Sequence, residues 1–587
     1  MAGPTGLEPA TFGVTGRRSN QLNYDPAERR IIREMPPTRH QPGRRHSTLH
    51  LPRERPATTG GRVSLKYPSV SIDELPSAVR TITGVPTSIA AFVGRAWRGP
   101  VDEPIEINGY ADYERIFGGL WRQSPMSYAV QQFFANGGSQ ALVVRVATRS
   151  GRAAARAASL SLTGGARFAA ANVGSWGMNL EMTVDDKTQD PSDTKLFNLT
   201  VFDNPQTTRD SARRGGSGAR ETFLNVSVDA NSPRFITGVL ERESSLLRLE
   251  TGFGENAPAP QTKSATAGSG TDGKPIGAAE VVGDPNDAKK TGMYALRKAE
   301  IFNLLCIPPY TFTTSDNGIG TTWKAAASFC RERRALLIVD APADWTLDSG
   351  SANYPPRRMG DYSAIERASS AIYFPRLRIL DPLQDNNPED FGPCGAVAGI
   401  MSRTDAERGV WKAPAGIGAV LRGVLGSSIN GVPASLTDKQ SGVLGPLGIN
   451  CIRSFPSAGN VVWGARTLEG SDSLASEWKY VPVRRLALHI EESIYRGTQW
   501  TVFEPNDEPL WAQIRLNVGA FMGGLFRQGA FQGASPRDAY LVKCDRETTT
   551  RDDIGRGAVN ILVGFAPLKP AEFLVIKIQQ LAGQIHT

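Results

Sequence analysis

A chain of 587 residues is too long for one ordinary hydrophobic core and predicts about two to four domains. Its 40% hydrophobic and 21% charged residues are typical of globular proteins, and its longest apolar runs fall far short of the ~18–20 residues that a membrane span needs. The net charge is +8, but the first 62 residues hold 11 Arg, no Lys and 5 acidic residues, and so carry +6 of it. The charge therefore does not indicate a basic nucleic-acid-binding face on the folded part of the chain.

Residues 1–62 contain eight prolines and no apolar periodicity, which predicts a disordered basic segment. Two interpretations stay open at this point. The segment is a real disordered arm, or the start codon is mis-assigned and translation begins near Val63. The first residues have neither a basic region nor an apolar run, so we expect no secretory signal peptide.

Residues 63–80 predict an extended N-terminal arm. Val70 and Ile72 alternate with polar residues, as in a strand that has one buried face. Pro68 and Pro76 favour an edge or an isolated arm over a central strand, because proline cannot donate to a sheet ladder.

Residues 81–165 alternate between strand and helix patterns and predict the first α/β part of a core. The segment 124–138 predicts a helix that Ser124 caps, with Pro125 at its first position and Gly137 and Gly138 at its end. Residues 140–147 predict the strand that follows.

Residues 166–292 indicate an inserted β-rich outer domain. Its segment 254–275 has no large aliphatic or aromatic residue, which predicts a mobile loop. Helix–strand alternation resumes in residues 293–448 and predicts a second α/β domain.

Residues 449–566 predict a C-terminal core domain. One apolar stripe steps by three and four residues along a helix: Trp511, Ile514, Val518, Phe521 and Leu525. The sequence FEPND (Phe503–Asp507) predicts the turn that caps this helix. Residues 567–587 predict a C-terminal arm strand that is apolar on both faces.

The residue types that carry catalysis are sparse. His489 is the one histidine outside the first 62 residues and the C-terminal end, and Arg485 and Glu492 flank it at helical spacing, which favours a salt-bridged helix face over catalysis. Five cysteines lie at least 24 positions apart, which indicates buried reduced thiols and no zinc spacing. No phosphate-binding loop occurs, and the carboxylates of residues 551–557 favour a solvated turn. We therefore expect no cofactor, no metal and no enzyme activity.

Five separated motifs follow one another along the chain: YPSVSIDELP (Tyr67–Pro76), AERGVWKAPAG (Ala406–Gly416), GINCIRSFPSAGNVVWGARTL (Gly448–Leu468), RRLALHIEESIYRGTQWTVFEPND (Arg484–Asp507) and EFLVIKIQQL (Glu572–Leu581). In this order they resemble the motifs of the contractile tail sheath family of phages and injection systems. The resemblance extends from about Val63 to the C-terminus.

This resemblance implies an α/β (mixed α+β) multidomain subunit with an α/β core, an inserted β-rich domain and extended N- and C-terminal arms. Residues 293–448 would have a subtilisin-like fold without its chemistry. The arms would join neighbouring subunits through Tyr67, Val70, Ile72, Phe573, Leu574, Val575, Ile576 and Ile578. The core motifs would depend on Trp411, Pro414, Trp500, Phe503 and Pro505.

The resemblance also implies a structural function. The chain would polymerise with itself as stacked rings around an inner tube protein, with baseplate and terminal cap proteins as further partners. Nucleic-acid binding and membrane insertion are not expected. Assembly would take place in the bacterial cytoplasm, in a phage tail or an injection particle. The alternative is a degenerate or unrecognised hydrolase on an α/β scaffold.

Overall fold

The computed structural model describes residues 80–149, 151, 154–204, 218–310 and 319–572. All of them fall in one contact unit of the chain, Pro76–Thr587. Residues 1–62 and both predicted arm strands, Tyr67–Ile72 and Phe573–Ile578, lie outside the described residues. What the sequence indicates about them stays a prediction.

The first described segment has the predicted α/β order. Its elements are β1 (Ala90–Gly94), β2 (Ile105–Ile107), α1 (Tyr110–Phe117), α2 (Pro125–Ala135) and β3 (Ala141–Arg145). Every residue of β1 and β3 is buried, as in interior strands that are covered on both faces. The helix that was predicted to begin at Pro125 is confirmed, but Ser124 does not cap it through its side chain. The Ser124 hydroxyl donates instead to the carbonyl of Arg95.

The next segment is rich in β-structure. It contains β4 (Ser159–Ser161), β5 (Arg167–Ala170), β6 (Leu180–Asp185), β7 (Leu196–Asp203), β8 (Arg220–Ser227), α3 (Ile236–Glu243), β9 (Leu247–Thr251) and β10 (Gln261–Ser264). The strands form two antiparallel sheets, in the orders β10-β6-β7-β8 and β4-β5-β9. They enclose an apolar cluster of their own, around Trp176 and Phe168. Strand β4 lies before the expected start of this domain at residue 166 and packs in the same cluster.

The prediction of a mobile loop over residues 254–275 is wrong in part. Within it, β10 pairs with β6 along four residues, and Thr262 lies opposite Thr183 with their hydroxyl oxygens 3.1 Å apart. An edge strand is held by backbone hydrogen bonds, which need no apolar side chain. A composition argument based on missing aliphatic residues therefore does not detect such a strand.

The third segment continues the helix–strand alternation. It contains α4 (Ala278–Val282), β11 (Leu304–Cys306), α5 (Lys324–Glu332), β12 (Leu336–Asp340), α6 (Pro355–Arg358), β13 (Ser370–Phe374), β14 (Arg376–Asp381), β15 (Asn387–Phe391), α7 (Cys394–Arg408), β16 (Gly426–Ile429), β17 (Val432–Ala434) and α8 (Asp438–Leu444). Four of these strands form a separate antiparallel sheet in the order β15-β14-β16-β17.

The last described segment contains the two longest helices among the described residues. Its elements are β18 (Ile449–Phe455), β19 (Gly459–Trp463), α9 (Val481–Gly497), α10 (Glu508–Arg527), α11 (Pro536–Ala539), β20 (Tyr540–Lys543), α12 (Arg551–Gly555) and β21 (Leu562–Phe565). The predicted apolar stripe of α10 is confirmed, because Trp511, Ile514 and Val518 are buried. The predicted cap is also confirmed, since the Asp507 carboxylate accepts from the backbone N–H of Leu510.

Short helical turns link these elements. The 3-10 turns are Ser175–Asn179, Gly292–Lys298, Met359–Tyr362, Arg367–Ser369, Pro382–Gln384, Gly445–Leu447 and Gln499–Thr501, and a π turn spans Ile319–Trp323. Among the described residues, the search for a helix long and apolar enough to cross a membrane finds none.

An eight-stranded sheet organises the described chain, in the order β19-β18-β13-β12-β11-β1-β3-β2. Its interior pairs are parallel, and an antiparallel strand lies at each edge. Successive residues of β1 enter opposite apolar clusters, Ala91 and Val93 on one face and Ala90 and Phe92 on the other. The sheet takes strands from three of the predicted segments, 81–165, 293–448 and 449–566, so these segments share one core.

Helices α2 and α7 approach closely on one face of this sheet. A Cβ atom at Gly395 would overlap with the carbonyl oxygen of Ala129, and one at Gly399 would lie 2.5 Å from that of Phe133. The two glycines are four residues apart and therefore lie on the same side of α7. Their missing side chains let the two helix backbones come together.

We expect Gly395→Ala to lower the free energy of unfolding by about 1–3 kcal/mol, because α2 and α7 would have to separate. Gly442→Ala in the exposed part of α8 is the matched control, since no atom lies within 4 Å of its added methyl. Alanine is the better helix former, so the control should gain up to about 1 kcal/mol. Urea denaturation of both variants measures the two effects, and equal stabilities would contradict the packing argument.

Candidate assembly interface

His489 lies on α9, and its ring faces α10. Its ring packs 6.1 Å from that of Phe521, and no hydrogen-bond partner of its Nδ1 is present among the described residues. The predicted salt-bridged helix face is confirmed for Arg485, which pairs with Asp405, and for Glu492, which pairs with Arg334 and Arg496. His489 itself is not part of these ion pairs and has a hydrogen bond with the backbone of Val85. Burial lowers the pKa of His489 to about 4.

This burial predicts a pH dependence of stability. In the unfolded chain His489 binds a proton near its usual pKa of about 6.5, whereas the folded protein resists the proton until about pH 4. Unfolding is therefore favoured as the pH falls through this window. When the pH falls from 7.5 to 4.5, the unfolding free energy of the natural protein should decrease by roughly 2 kcal/mol more than that of His489→Gln. Denaturant titrations of both proteins at pH 7.5 and 4.5 measure this difference. An equal decrease in the unfolding free energy of the two proteins would contradict the prediction.

The cysteines are inert in the folded chain. Cys306, Cys330, Cys394, Cys451 and Cys544 are all buried and free, as the sequence predicted. Burial raises the pKa of the Cys451 thiol to about 11 and the pKa of the Cys330 thiol well above its usual value. Among the described residues, no group of three or more His, Cys, Asp or Glu side chains is arranged to hold a metal ion.

Strands β20 and β21 form a two-stranded antiparallel sheet, which we call the C-terminal sheet. Its inner face packs on the apolar cluster of α10 through Tyr540, Val542, Val563 and Phe565. Its outer face exposes half of Leu541 and half of Leu562. In the part of the chain that the structure describes, β20 and β21 pair only with each other, and a bridge from Phe531 to Pro567 lies just beyond the end of β21. Among the described residues, the outer edges along the two strands themselves are free. Such a pair is marginal by itself and can accept added strands.

The segment GVWKAPAG (Gly409–Gly416) reaches the outer edge of the central sheet at its last residue, and residues 416–421 bond along β19. The backbone N–H of Gly416 donates to the carbonyl of Val462 in β19 at 2.9 Å. Gly416 has a φ of 102°, which favours glycine, so the predicted turn is confirmed. Trp411 is partly buried against the cluster of α10, and Pro414 is buried.

The remaining predicted core residues have different surroundings. Trp500 is partly buried, and the guanidinium of Arg80 lies 4.5 Å from the centre of its ring. Phe503 and Pro505, which the sequence places in the turn before α10, are both exposed in the described chain. The turn that contains them projects from the start of α10 instead of packing beneath it. Periodicity identified the helix, but it could not show which way the turn points.

Two buried arginines that the sequence analysis missed hold distant segments together. Arg485 on α9 makes a two-pronged ion pair with Asp405 on α7 at 2.6 and 2.9 Å, and also donates to the carbonyl of Thr87. Arg466 makes a second two-pronged pair with Glu572 at 2.5 and 2.7 Å. The latter pair anchors Glu572, the last described residue, directly before the segment that predicts the C-terminal arm.

A groove of about 1110 Å³ opens beside this anchor. Its lining residues come from the segments 408–416, 438–453, 463–466, 528–529 and 568–572 and from Tyr480. Trp463 is 39% exposed and packs on Phe455 with ring centres 4.6 Å apart, while the Arg453 guanidinium lies 4.8 Å from the centre of the Phe455 ring. The groove is thus partly aromatic and partly basic.

Known proteins similar to this chain are tail sheath proteins. Residues 474–580 match the model of the phage tail sheath C-terminal domain. This region is similar to the C-terminal domain of tail sheath proteins. The tail sheath protein of Vibrio phage KVP40 is 24% identical over 182 residues, which are 31% of this chain and 25% of that protein. The match therefore spans about a quarter of the length of this curated relative.

Solved sheath structures share the fold over most of the chain. The PVC sheath of an extracellular contractile injection system, solved in the contracted state, is 21% identical with a TM-score of 0.52, and the match covers 88% of this chain and 99% of that one. The contracted helical sheath of the anti-feeding prophage is 22% identical with a TM-score of 0.51, over 87% and 99%. The sheath tail protein of Listeria innocua is 14% identical with a TM-score of 0.53, over 83% and 96%. The predicted family resemblance and the mixed α/β fold class are confirmed.

Proposed function

We propose that this chain is the sheath subunit of a contractile tail or injection system. It polymerises as a helical sheath around an inner tube and contracts to drive the tube through a target envelope. The observation that carries the proposal is the match of residues 474–580 to the tail sheath domain, the region that also presents the C-terminal sheet with two free edges.

The partners follow from this function. Two of the similar structures are a sheath complex and a helical sheath, both in the contracted state, which supports self-assembly as the first interaction of this chain. An inner tube protein, a baseplate and a terminal cap are the further partners that a sheath requires. We infer that assembly takes place in the bacterial cytoplasm and that the product is a phage tail or an injection particle.

Strand addition is the proposed link between subunits. Each arm, Tyr67–Ile72 and Phe573–Ile578, completes a sheet in an adjacent copy, and the C-terminal sheet is the acceptor. Backbone hydrogen bonds along a free edge provide affinity that does not depend on one side chain. Covering Leu541 and Leu562 also removes exposed apolar area from water.

A hydrolase is the less favoured alternative. The described residues contain a single histidine, His489, whose ring packs on Phe521 and contacts no nucleophile. A serine or cysteine nucleophile needs a base within hydrogen-bond reach. We therefore infer that the chain is not an enzyme.

The test uses the full chain. Purified protein viewed by negative-stain electron microscopy is expected to form hollow tubes or stacked rings. A monomer that forms no ordered assembly at any concentration, with saturable turnover of an ester or peptide substrate that His489→Gln abolishes, would establish the hydrolase instead.

A further inference from the structure

One turn of the chain presents an apolar side chain to solvent in an unfavourable backbone conformation. Phe503 is fully exposed, and its φ is 73°, in the left-handed region that aromatic residues rarely adopt. The preceding Val502 is 62% exposed. Strained residues of this kind persist where the surrounding structure imposes them, and they concentrate at functional sites.

Hydrogen bonds of Asn506 hold the turn of residues 502–507 to its neighbours. The amide of Asn506 donates to the carbonyl of Ala558 at 2.9 Å and accepts from the indole Nε1 of Trp511 at 2.9 Å. Asp507 caps α10 immediately afterwards. Phe503 therefore projects from a hydrogen-bonded turn, as anchor residues of protein interfaces do.

The groove described above complements this turn. The turn carries Glu504 and Asp507, for which no ion pair is present among the described residues. The groove carries Arg408, Lys412 and Lys569, for which the described chain likewise offers no acidic partner. The turn, an aromatic anchor with acidic neighbours, therefore matches the chemistry of the groove, whose carboxylates Asp438 and Glu572 are already paired with Arg453 and Arg466.

The turn does not fill the groove of its own copy, because Phe503 is fully exposed. The turn and the groove are different surfaces of one chain, and a contact between different surfaces joins copies head to tail. Head-to-tail contacts produce rings or open helices, whereas a self-complementary patch would close as a dimer.

We propose that the Phe503 turn of one copy inserts into the groove of a second copy, beside Trp463 and Lys412. This contact rests on the proposed sheath function and adds to it a side-chain interface that is separate from the arms. It depends on residues inside the described subunit, so arm deletions do not remove it.

The test begins with Phe503→Gly, because glycine adopts a φ of 73° without strain. The variant monomer should keep or exceed the thermal stability of the natural protein, while the concentration required for tube formation rises at least tenfold. Phe503→Tyr keeps the ring and should assemble normally. Leu224→Ser removes an apolar side chain of the β-rich domain that is 55% exposed and is the second control. Normal assembly of the glycine variant would overturn the proposal.

A photo-crosslinking amino acid at position 503 identifies the occupant directly. Irradiation of assembled protein is expected to join position 503 to a peptide from residues 408–416 or 438–466 of another copy. Capture of a different region or a different protein, or no crosslink between copies, overturns the contact. Failure of the natural chain to form any tube would instead overturn the sheath function together with this interface, so the two failures are distinguishable.

Discussion

Removing residues 573–587 is expected to abolish tube formation while leaving a folded subunit. The deletion begins after Glu572, because that residue is ion-paired to Arg466 and its loss would expose a buried guanidinium. The removed sequence starts with five apolar residues among its first six, FLVIKI. We propose that these residues bind as a strand in a neighbouring copy, where both apolar faces are covered.

Substitutions within the arm test whether its apolar side chains are required, because they leave its length unchanged. Val575→Asp with Ile576→Asp places a carboxylate on each face of the strand, and burying two unpaired carboxylates would cost several kcal/mol. Gln579→Asp with Gln580→Asp adds the same charge at polar positions and serves as the control. Electron microscopy and sedimentation measure assembly, and circular dichroism measures the fold. Ordinary tubes from the deletion or from the first pair would show that the arm does not link subunits.

Arg485→Ala is expected to lower the free energy of unfolding by about 3–5 kcal/mol. The Arg485 and Asp405 side chains are 3% and 5% exposed, so removing the cation leaves a buried carboxylate without its partner. The Thr87 carbonyl also loses a donor. This one side chain joins α9, α7 and the segment before β1, and its loss weakens all three contacts.

The control for this substitution is Arg115→Ala, whose ion pair with Asp112 is largely exposed and should change stability by less than about 1 kcal/mol. Replacing both buried partners, as in Arg485→Met with Asp405→Leu, should recover most of the loss because no charge is left unpaired. Denaturant titration measures all three proteins. A loss for Arg485→Ala no larger than that of the exposed control would contradict the assignment.

The amino-acid sequence alone determined the features that depend on neighbouring residues. Pro125 marked the start of α2, the stripe from Trp511 to Leu525 marked α10, and Asp507 marked its cap. Helix periodicity and capping arise within one or two turns of chain, so local patterns contain the information. The order of the separated motifs likewise predicted the sheath family that residues 474–580 confirm.

The tertiary structure decided the features that join distant residues. Arg485 and Asp405 are 80 positions apart, and Arg466 and Glu572 are 106 positions apart. The residues next to each partner in the sequence do not indicate either ion pair, because the pair forms only when the fold brings the two side chains together. The outward direction of Phe503 and the edge pairing of β10 are decided in the same way. Side-chain direction at a turn and backbone pairing at a sheet edge depend on the packed neighbours, which a local pattern of residue types does not specify.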